Sequence, residues 1–216
     1  QDLTDANTFV TALNNFESSG VMVWSAGNDV GESDASAMAG LPELFPDLGE
    51  AWIVANVVQY TGDSDLSDAT SSEFTLKGNK CGSTAEYCLS VDGYDVYAAT
   101  YVNSGTSEYN SSRISYGSSW SAPMVSGGVA LMAQAFPNHT SEQLVDRILA
   151  SANNVWFTPE GNTTFTTHGN SVKHGYHSTW GHGVPDFYAA LSPITSDGNP
   201  ASMSLYTSSS IQSSEA

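Results

Sequence analysis

Residues 21–28 read Val-Met-Val-Trp-Ser-Ala-Gly-Asn, an apolar run that ends in small and polar residues. Four apolar residues without polar alternation are typical of a strand buried on both faces. Before this run, apolar residues recur at helical spacing over residues 3–16, and Gly20 is placed where a left-handed residue would end that helix. A helix that leads into a buried strand is half of an α/β unit. The sequence therefore predicts an α/β protein with residues 25–28 at the carboxyl end of a sheet strand.

Length and charge narrow the class of protein. The chain has 216 residues, of which 40% are hydrophobic, enough for one domain with a substantial core. Five Lys and Arg stand against 23 Asp and Glu, which gives a formal net charge of −18. An acidic surface repels phosphate groups, which excludes a protein that tracks nucleic-acid backbones and disfavours an anionic membrane surface. No apolar run of about 18 residues is present for a membrane span, and the first residues lack the basic and apolar regions of a signal peptide.

The other predicted elements continue the alternation of strands and helices. A helix over residues 119–136 is largely apolar, with Pro123 in its first turn, and a capping box over Thr140–Gln143 opens a second helix. The end of the chain is rich in Ser and poor in large apolar groups, which predicts a linker or tail over 192–216 after one domain over 1–191. The remaining predictions are strands over 52–58, 87–91 and 95–99, an irregular segment over 153–182 and a short helix over 186–191.

The two cysteines, Cys81 and Cys88, lie seven residues apart with Gly82 between them. That spacing is compatible with a disulfide that closes a small loop, which would indicate an oxidising compartment. It is also compatible with two reduced, partly buried thiols. The disulfide is favoured because nothing nearby resembles a thiolate metal site.

Two segments carry residues suited to chemistry at the ends of these elements. Asn28 follows the first buried strand, and Ser119 stands at the start of the long apolar helix. Ligands of α/β proteins bind at the carboxyl ends of strands, where helix N-termini face them. The Ser119 N–H and the Asn28 amide would both donate to an oxyanion that forms beside a serine nucleophile. Taken singly, Ser119 is also typical of a helix cap and Asn28 of a turn.

Together, the two segments resemble those of the subtilisin-like serine proteases, or subtilases. The resemblance begins with Ala-Gly-Asn at 26–28, after an apolar strand. Residues 117–123, Gly-Ser-Ser-Trp-Ser-Ala-Pro, resemble the serine motif of that family, which is usually Gly-Thr-Ser-Met-Ala-Ala-Pro, and residues 181–190 resemble its closing Gly-x-Gly segment. The Cys81–Cys88 segment and Val-Ser-Gly-Gly at 125–128 are closest to the subtilases of bacterial autotransporters. The resemblance covers the chain up to the Ser-rich tail, and the serine motif is specific in its seven-residue context.

This resemblance implies a three-layer subtilisin-like α/β fold with a mostly parallel sheet, of which the chain would be the C-terminal part. It also implies a serine endopeptidase that cleaves peptides or proteins. Ser119 would be the nucleophile and Asn28 the oxyanion-hole donor. The pocket for the residue before the scissile bond would be lined by Ser25, Ala26 and Gly27. The implied location is secreted or at the cell surface, of a bacterium rather than a eukaryote.

Two members of the catalytic triad are missing from the expected place. Subtilases order the triad as Asp, His and then Ser, and the first two precede the Asn strand. The five histidines here all follow Ser119, and His168, which begins a similar His-Gly-Asn stretch, is on the wrong side of the serine. We therefore expect the chain to be the C-terminal piece of a protease whose Asp and His lie on an N-terminal fragment. Without that fragment we expect negligible proteolysis, because Ser119 has no base.

The chemistry of such a site requires no cofactor. Subtilases often bind calcium, and residues 63–68, Asp-Ser-Asp-Leu-Ser-Asp, begin like a calcium loop. They lack the Gly and the Glu of an EF-hand, so the sequence places no calcium site and the metal ligands stay unknown. The four histidines between 168 and 182 are a weaker metal candidate because their spacing is irregular.

Two other functions compete with the protease. An esterase of another α/β fold would use Gly117-x-Ser119-x-Ser121, but its nucleophile elbow has Gly where Ser121 stands. A catalytically inactive subtilase would serve as a binding or structural module, and in a fragment the loss of Asp and His would look the same. The upstream sequence of the gene would distinguish the active protease from the inactive module. An intact His-Gly-Thr there indicates an enzyme, and a replaced His indicates the inactive module.

Overall fold

A computed structural model describes residues 3–101, 109–113, 116–169 and 171–192. Only the first residue of the predicted Ser-rich tail falls within these ranges, so the tail itself lies outside the described residues. The elements in chain order are α1 (Leu3–Glu17), β1 (Met22–Ser25), β2 (Trp52–Tyr60), β3 (Phe74–Leu76), β4 (Cys88–Asp92), β5 (Tyr97–Tyr101), β6 (Tyr109–Arg113), α2 (Ser118–Ala135), α3 (Ser141–Ala150), β7 (Gly161–Phe165), β8 (Val172–Tyr176) and α4 (Phe187–Ala190), with 3₁₀ turns at Leu41–Glu43, Ser71–Glu73 and Gly82–Tyr87.

The main sheet is mixed and mostly parallel. β1 pairs in parallel with β2, with Val23 opposite Ile53, and β2 pairs in parallel with β4, with Ala55 opposite Leu89. β3 adds an antiparallel pair at the far end of β2. The first seven residues of β2 are buried, as expected of a strand that is covered on both faces.

Helices cover both faces of this sheet. Successive side chains of a strand point to opposite faces. Ile53 belongs to an apolar cluster with Val125 of α2 and with the buried side of α3. Its neighbour Trp52 belongs to a second cluster, against which Leu13 of α1 packs. Two helical layers therefore enclose the sheet, which confirms the expected three-layer α/β architecture. Among the described residues, no helix has the length and apolar character needed to cross a bilayer.

The end of α1 differs from the prediction. The helix ends at Glu17, and Gly20 does not adopt the left-handed conformation expected of it. A Cβ at Gly20 would overlap the ring of Phe16, and the Gly20 N–H donates to the Phe16 carbonyl at 2.8 Å. Glycine suits this position because the Phe16 ring packs over it, and not because of its backbone conformation.

Pro123 lies inside α2 and not in its first turn. The helix begins at Ser118 with Gly117 as its N-cap, so Pro123 comes after the first turn is complete. A proline at that position has no N–H to donate to the carbonyl four residues earlier, which is that of Ser119. The helix therefore leaves the Ser119 carbonyl without its usual hydrogen bond.

The segment predicted to be irregular contains a β-hairpin. β7 and β8 pair antiparallel, with Phe165 opposite Val172 next to the connecting turn. Both of these side chains are buried. The other positions of the hairpin are filled mainly by Gly, Asn, Thr, Lys and His, so the sequence shows no alternation from which the strands could have been recognised.

Cys81 and Cys88 form a disulfide, so the alternative of two reduced thiols is wrong. Both residues are fully buried and belong to the apolar cluster around Trp52. The residues between them form a 3₁₀ turn, and the disulfide ties the start of this turn to the first residue of β4. The disulfide therefore fixes the segment before β4 against the sheet.

Replacing both cysteines by alanine (Cys81→Ala with Cys88→Ala) is expected to lower the free energy of unfolding by about 2–3 kcal/mol, because the closed loop no longer restricts the unfolded chain. For a chain of this length, that change corresponds to a fall in Tm of about 5–10 °C. Calorimetry with and without reductant measures it. Reductant should lower the Tm of the wild type and leave that of the double variant unchanged, and a single Tm in all four samples would contradict a stabilising disulfide.

Candidate active site

A turn at the carboxyl end of β1 carries Asn28. Gly27 in this turn has φ +121°, a conformation that favours glycine, and a Cβ there would overlap the side-chain amide of Asn79. Gly78 is restricted in the same way, because a Cβ on it would overlap the Gly27 carbonyl. The backbone of the turn therefore lies directly on the segment that contains Gly78 and Asn79.

The Asn28 side chain binds the N-terminus of α2. Its Oδ1 accepts the Ser118 N–H at 2.8 Å and the Ser118 hydroxyl at 3.0 Å. The same hydroxyl accepts the Gly27 N–H at 3.1 Å. Since a backbone N–H can only donate, the Asn28 atom that faces it must be the oxygen. Asn28 is exposed, and its Nδ2 has no hydrogen-bond partner among the described residues, so this N–H group is available to a ligand.

Ser118 and Ser119 are adjacent but differ in environment. Ser118 is 1% exposed, and its hydroxyl is engaged with the turn. Ser119 is exposed, and its hydroxyl has no hydrogen-bond partner within the part of the chain that the structure describes. The Ser119 N–H belongs to the first turn of α2, whose N–H groups lack intrahelical acceptors and form the positive end of the helix dipole. Of the two serines, only Ser119 is placed to react with a molecule in solution.

The simpler interpretations of these two residues do not fit the geometry. The N-cap of α2 is Gly117, so Ser119 is not a capping residue. Asn28 does not adopt the left-handed conformation typical of a turn Asn. Instead, Asn28 caps the helix from a distant part of the chain by accepting the Ser118 N–H. The two segments that the sequence analysis singled out therefore meet at one strand end and one helix start.

The residues predicted to line a substrate pocket differ in exposure. Ala26 is fully buried, its N–H donates to the Ala55 carbonyl at 2.9 Å, and its carbonyl accepts the Ser36 N–H at 2.7 Å. Ser25 and Gly27 are half-buried. The Ser36 hydroxyl donates to the Ser25 carbonyl at 3.3 Å. A ligand could therefore contact the Ser25 side chain and the Gly27 backbone, whereas the Ala26 side chain belongs to the core.

All five histidines have their contacts away from Ser119. His139 follows the far end of α2, and its ring lies tilted against the ring of His168, which lies beside α3. His177 lies 3.4 Å from the carboxylate of Glu160. The remaining two form a buried pair with each other. The described residues therefore hold no histidine that could act as a base for Ser119.

The buried pair consists of His174 and His182, whose Nδ1 atoms are 2.9 Å apart. His174 Nε2 lies 2.9 Å from the Ala152 carbonyl, and His182 Nε2 lies 2.9 Å from the Glu86 carbonyl. Burial lowers the pKa of His182 to about 3, and the neighbouring His174 adds to this effect. Burial also lowers the pKa of His174. Burial therefore favours the neutral form of both rings. Two neutral rings have two N–H groups, so at most two of these three contacts are hydrogen bonds, and the pair packs β8 against the end of α3 and the 3₁₀ turn before β4.

No group of three or more His, Cys, Asp or Glu side chains is arranged to hold a metal ion within the described residues. In the acidic loop, the Asp63 carboxylate accepts the Asp65 N–H at 2.8 Å, and the Asp65 carboxylate accepts the Ser67 N–H at 2.9 Å. The bond from Ser67 is the main reason that the pKa of Asp65 lies below its usual range. These carboxylates bind the backbone of their own loop and do not converge on one point.

Comparison with known proteins places this chain in a family. The profile described as "Subtilase family" matches residues 3–183. This chain belongs to that family. Among curated proteins, an extracellular serine protease of Serratia marcescens is 29% identical over 139 residues, which are 57% of this chain and 12% of that protein. The chain thus matches only a small part of the length of this relative.

Two solved structures are similar to this chain in fold. Fervidolysin from Fervidobacterium pennivorans, a keratinolytic enzyme related to subtilisin, is similar with a TM-score of 0.51 at 20% identity, over 81% of this chain and 23% of that chain. The A-subunit of the AB5 toxin from E. coli is similar with a TM-score of 0.53 at 15% identity, over 88% of this chain and 56% of that chain. These similarities confirm the subtilisin-like fold. In both cases this chain corresponds to only part of the longer structure.

Two residues around the turn were not found from the sequence. The hydroxyl of Ser118 holds Asn28, and a signal for it existed, because Ser118 replaces the usual Thr of the motif and keeps the hydroxyl. Asn79 lies beneath the turn and binds the residue after Asn28. No spacing rule connects positions that far apart, and Gly-Asn at 78–79 has the composition of an ordinary turn.

The buried histidine pair predicts that the protein loses stability in acid. The unfolded state binds protons on these rings below about pH 6.5, whereas burial lowers the pKa of both rings in the folded state, so the free energy of unfolding falls as the pH drops below about 6.5. One such histidine accounts for about 2 kcal/mol between pH 6.5 and 5. Urea unfolding at several pH values measures this loss.

Two variants assign the acid effect to the buried rings. His182→Gln and His174→Gln should each reduce the pH dependence of the free energy of unfolding, because each removes one ring whose pKa burial lowers. Stability that stays constant from pH 7 to 5 in the wild type would contradict the assignment.

Proposed function

We propose that this chain is the C-terminal part of the catalytic domain of a secreted serine endopeptidase. The observation that carries the proposal is the pair of bonds between Asn28 Oδ1 and Ser118. These bonds leave the Asn28 Nδ2 and the Ser119 hydroxyl exposed at the same end of α2. A nucleophile, an amide donor and a free helix N–H are the groups that an acyl-transfer site needs besides its base.

In the proposed mechanism, Ser119 Oγ attacks the carbonyl carbon of a peptide bond while a histidine takes its proton. The carbonyl oxygen becomes an oxyanion, to which Asn28 Nδ2 and the Ser119 N–H donate. The histidine then passes its proton to the leaving amine, and the peptide bond breaks. A water molecule hydrolyses the acyl group on Ser119 by the reverse sequence of proton transfers, which restores the free hydroxyl.

The histidine and its aspartate must come from outside the described residues, because none of the five histidines contacts Ser119. We propose that an N-terminal segment of the same protease supplies both. β1 supports this proposal, since it pairs only with β2 among the described strands and so has a free edge beside the turn. A further parallel strand on that edge would end next to Asn28.

The surface of α2 also supports a docked segment. Ser121, Val125 and Gly128 lie on its buried side. Met124 and Leu131, seven residues apart, lie on an exposed stripe, and Leu131 is 59% exposed. A helix that is apolar on both sides is typical of the interior of a larger protein. We propose that the segment with Asp and His covers this stripe.

Other properties follow from family membership and from the disulfide. We propose a peptide or protein substrate, which the Serratia relative supports by its printed description as an extracellular serine protease. A buried disulfide supports a location outside the cytoplasm, secreted or at the cell surface. The proposed reaction requires no cofactor, and structural calcium stays a proposal for which no site is placed.

Of the alternative functions, the esterase loses its support, because the chain has the fold and the serine motif of a subtilase. A catalytically inactive subtilase has the same fold and differs only in the missing residues. Reaction with a serine-specific probe separates this second candidate from the protease.

A fluorophosphonate probe tests the nucleophile and its base together. We expect Ser119 to be labelled when this chain is combined with the segment that carries Asp and His, and negligible labelling of this chain alone, because the serine then has no base. A denaturing gel followed by peptide mass spectrometry locates the label.

Two serine variants make this test specific. Ser119→Ala should abolish labelling. Ser121→Ala should leave labelling unchanged, because the buried Ser121 hydroxyl has no hydrogen-bond partner in the described structure. Labelling of the chain alone would refute the need for a second segment, and no labelling of the complete protease would favour the inactive module.

Asn28→Ala tests the oxyanion hole. Removal of the corresponding donor in subtilisin lowers kcat by about 10²–10³, and we expect a loss of the same order here with little change in KM, since the donor acts on the transition state. Steady-state hydrolysis of a chromogenic peptide measures both constants. A rise in KM at constant kcat would instead assign Asn28 to ground-state binding.

A further inference from the structure

We infer that Asn79 is a positioning residue for Asn28. Asn79 is 6% exposed and lies beneath the turn. Its Oδ1 accepts the Asp29 N–H at 2.9 Å, and its own N–H donates to the Gly27 carbonyl at 3.2 Å. Asn79 therefore binds both the residue before Asn28 and the residue after it.

The other end of the Asn79 amide fixes its direction. Nδ2 donates to the Asp34 carbonyl at 2.9 Å. Because Oδ1 faces a donor and Nδ2 faces an acceptor, only one orientation of the amide satisfies both contacts. The Asp34 carboxylate accepts the Ser83 N–H at 2.7 Å, inside the loop closed by Cys81–Cys88. The turn that carries Asn28 is thus connected through Asn79 to the segment that the disulfide holds.

The two partners of the turn act on different parts of it. Ser118 binds the side chain of Asn28 and the Gly27 N–H, whereas Asn79 binds only the backbone on either side. An oxyanion hole is effective because its donors are in place before charge develops. A displacement of about 1 Å in a catalytic group can cost about 10² in rate. In this role Asn79 acts through Asn28 and not on the substrate.

The test rests on the proposed function and uses the complete protease, in which this chain is combined with the segment that supplies Asp and His. Asn79→Ala is expected to lower kcat about 10- to 100-fold, with KM changed less than about 2-fold, because the displaced donor serves mainly the transition state. In an Asn28→Ala background, the same substitution should lower kcat less than about 3-fold, because the side chain that it positions is gone.

Asn153→Ala is the matched control. Asn153 also joins an N–H to a carbonyl, since its Oδ1 accepts the Val155 N–H at 3.3 Å and its Nδ2 donates to the Leu66 carbonyl at 3.3 Å. None of these residues contacts the turn. We expect Asn153→Ala to lower Tm and to change kcat by the same factor whether or not Asn28 is present.

A second variant covers the case in which Asn79→Ala does not fold. Asn79→Ser is a smaller polar substitution that places no charge in this buried site and leaves the residue 79 N–H bonded to the Gly27 carbonyl. Its expected effect is a fall in kcat that again disappears in the Asn28→Ala background.

The outcomes separate this inference from the proposed function. Equal losses of kcat in the two backgrounds, or a rise in KM alone, would give Asn79 a merely structural role and overturn the inference while leaving the protease intact. A wild type that neither hydrolyses peptides nor reacts with the fluorophosphonate would refute the proposed function, and this inference with it. An active wild type with a loss that depends on Asn28 supports both.

Discussion

The contact between Asn28 Oδ1 and Ser118 connects the sheet to the helix on which the candidate nucleophile stands. It joins positions 90 residues apart, and it satisfies the N–H of the first residue of α2 without any capping side chain from the helix itself. Successive residues of an α-helix point about 100° apart. Once Ser118 is turned inward to meet Asn28, Ser119 is turned outward. One hydrogen-bonded contact thus sets both the direction of the amide donor and the exposure of the serine.

The parallel sheet explains why this contact can form. Parallel pairing of β1, β2 and β4 places the carboxyl ends of all three strands at the same edge. β1 leads there into the turn with Asn28. β4 leads into Gly93, whose carbonyl accepts the Gly117 N–H at 3.2 Å and whose Cβ, were it present, would crowd that same residue. The start of α2 is therefore held from two strand ends, so its position does not depend on the turn alone.

Sequence reasoning succeeded where the signal is local. The apolar run of β2 predicted a strand buried on both faces, and the capping box of α3 is confirmed by bonds in both directions between Thr140 and Gln143. It failed where the cause is a distant contact. Gly20 is glycine because of the Phe16 ring, and the strand pairing of β7 with β8 is supported by few apolar residues.

The site shows the same division between local and distant causes. The residue types at Asn28 and Ser119 and their flanking motifs were enough to propose an oxyanion donor and a nucleophile. The bonds that hold Asn28 come from Ser118 and Asn79, and only the fold brings these residues together. Residue type and flanking motif indicate which residues can react, whereas the fold determines which contacts hold each of them in place.

The exposed stripe of α2 connects the proposed docking of the Asp and His segment with the completion of the active site. Met124 and Leu131 lie on the stripe, and between them Gly127 has open space around its backbone, so a neighbouring chain could approach the helix closely there. Burial of apolar surface is the main driving force for such docking. If the segment that covers the stripe also carries the Asp and the His, the covering of α2 and the completion of the triad are one event. Ser119 would then gain its base only in a protein whose core is closed, which links proteolytic activity to correct assembly through the surface of a single helix.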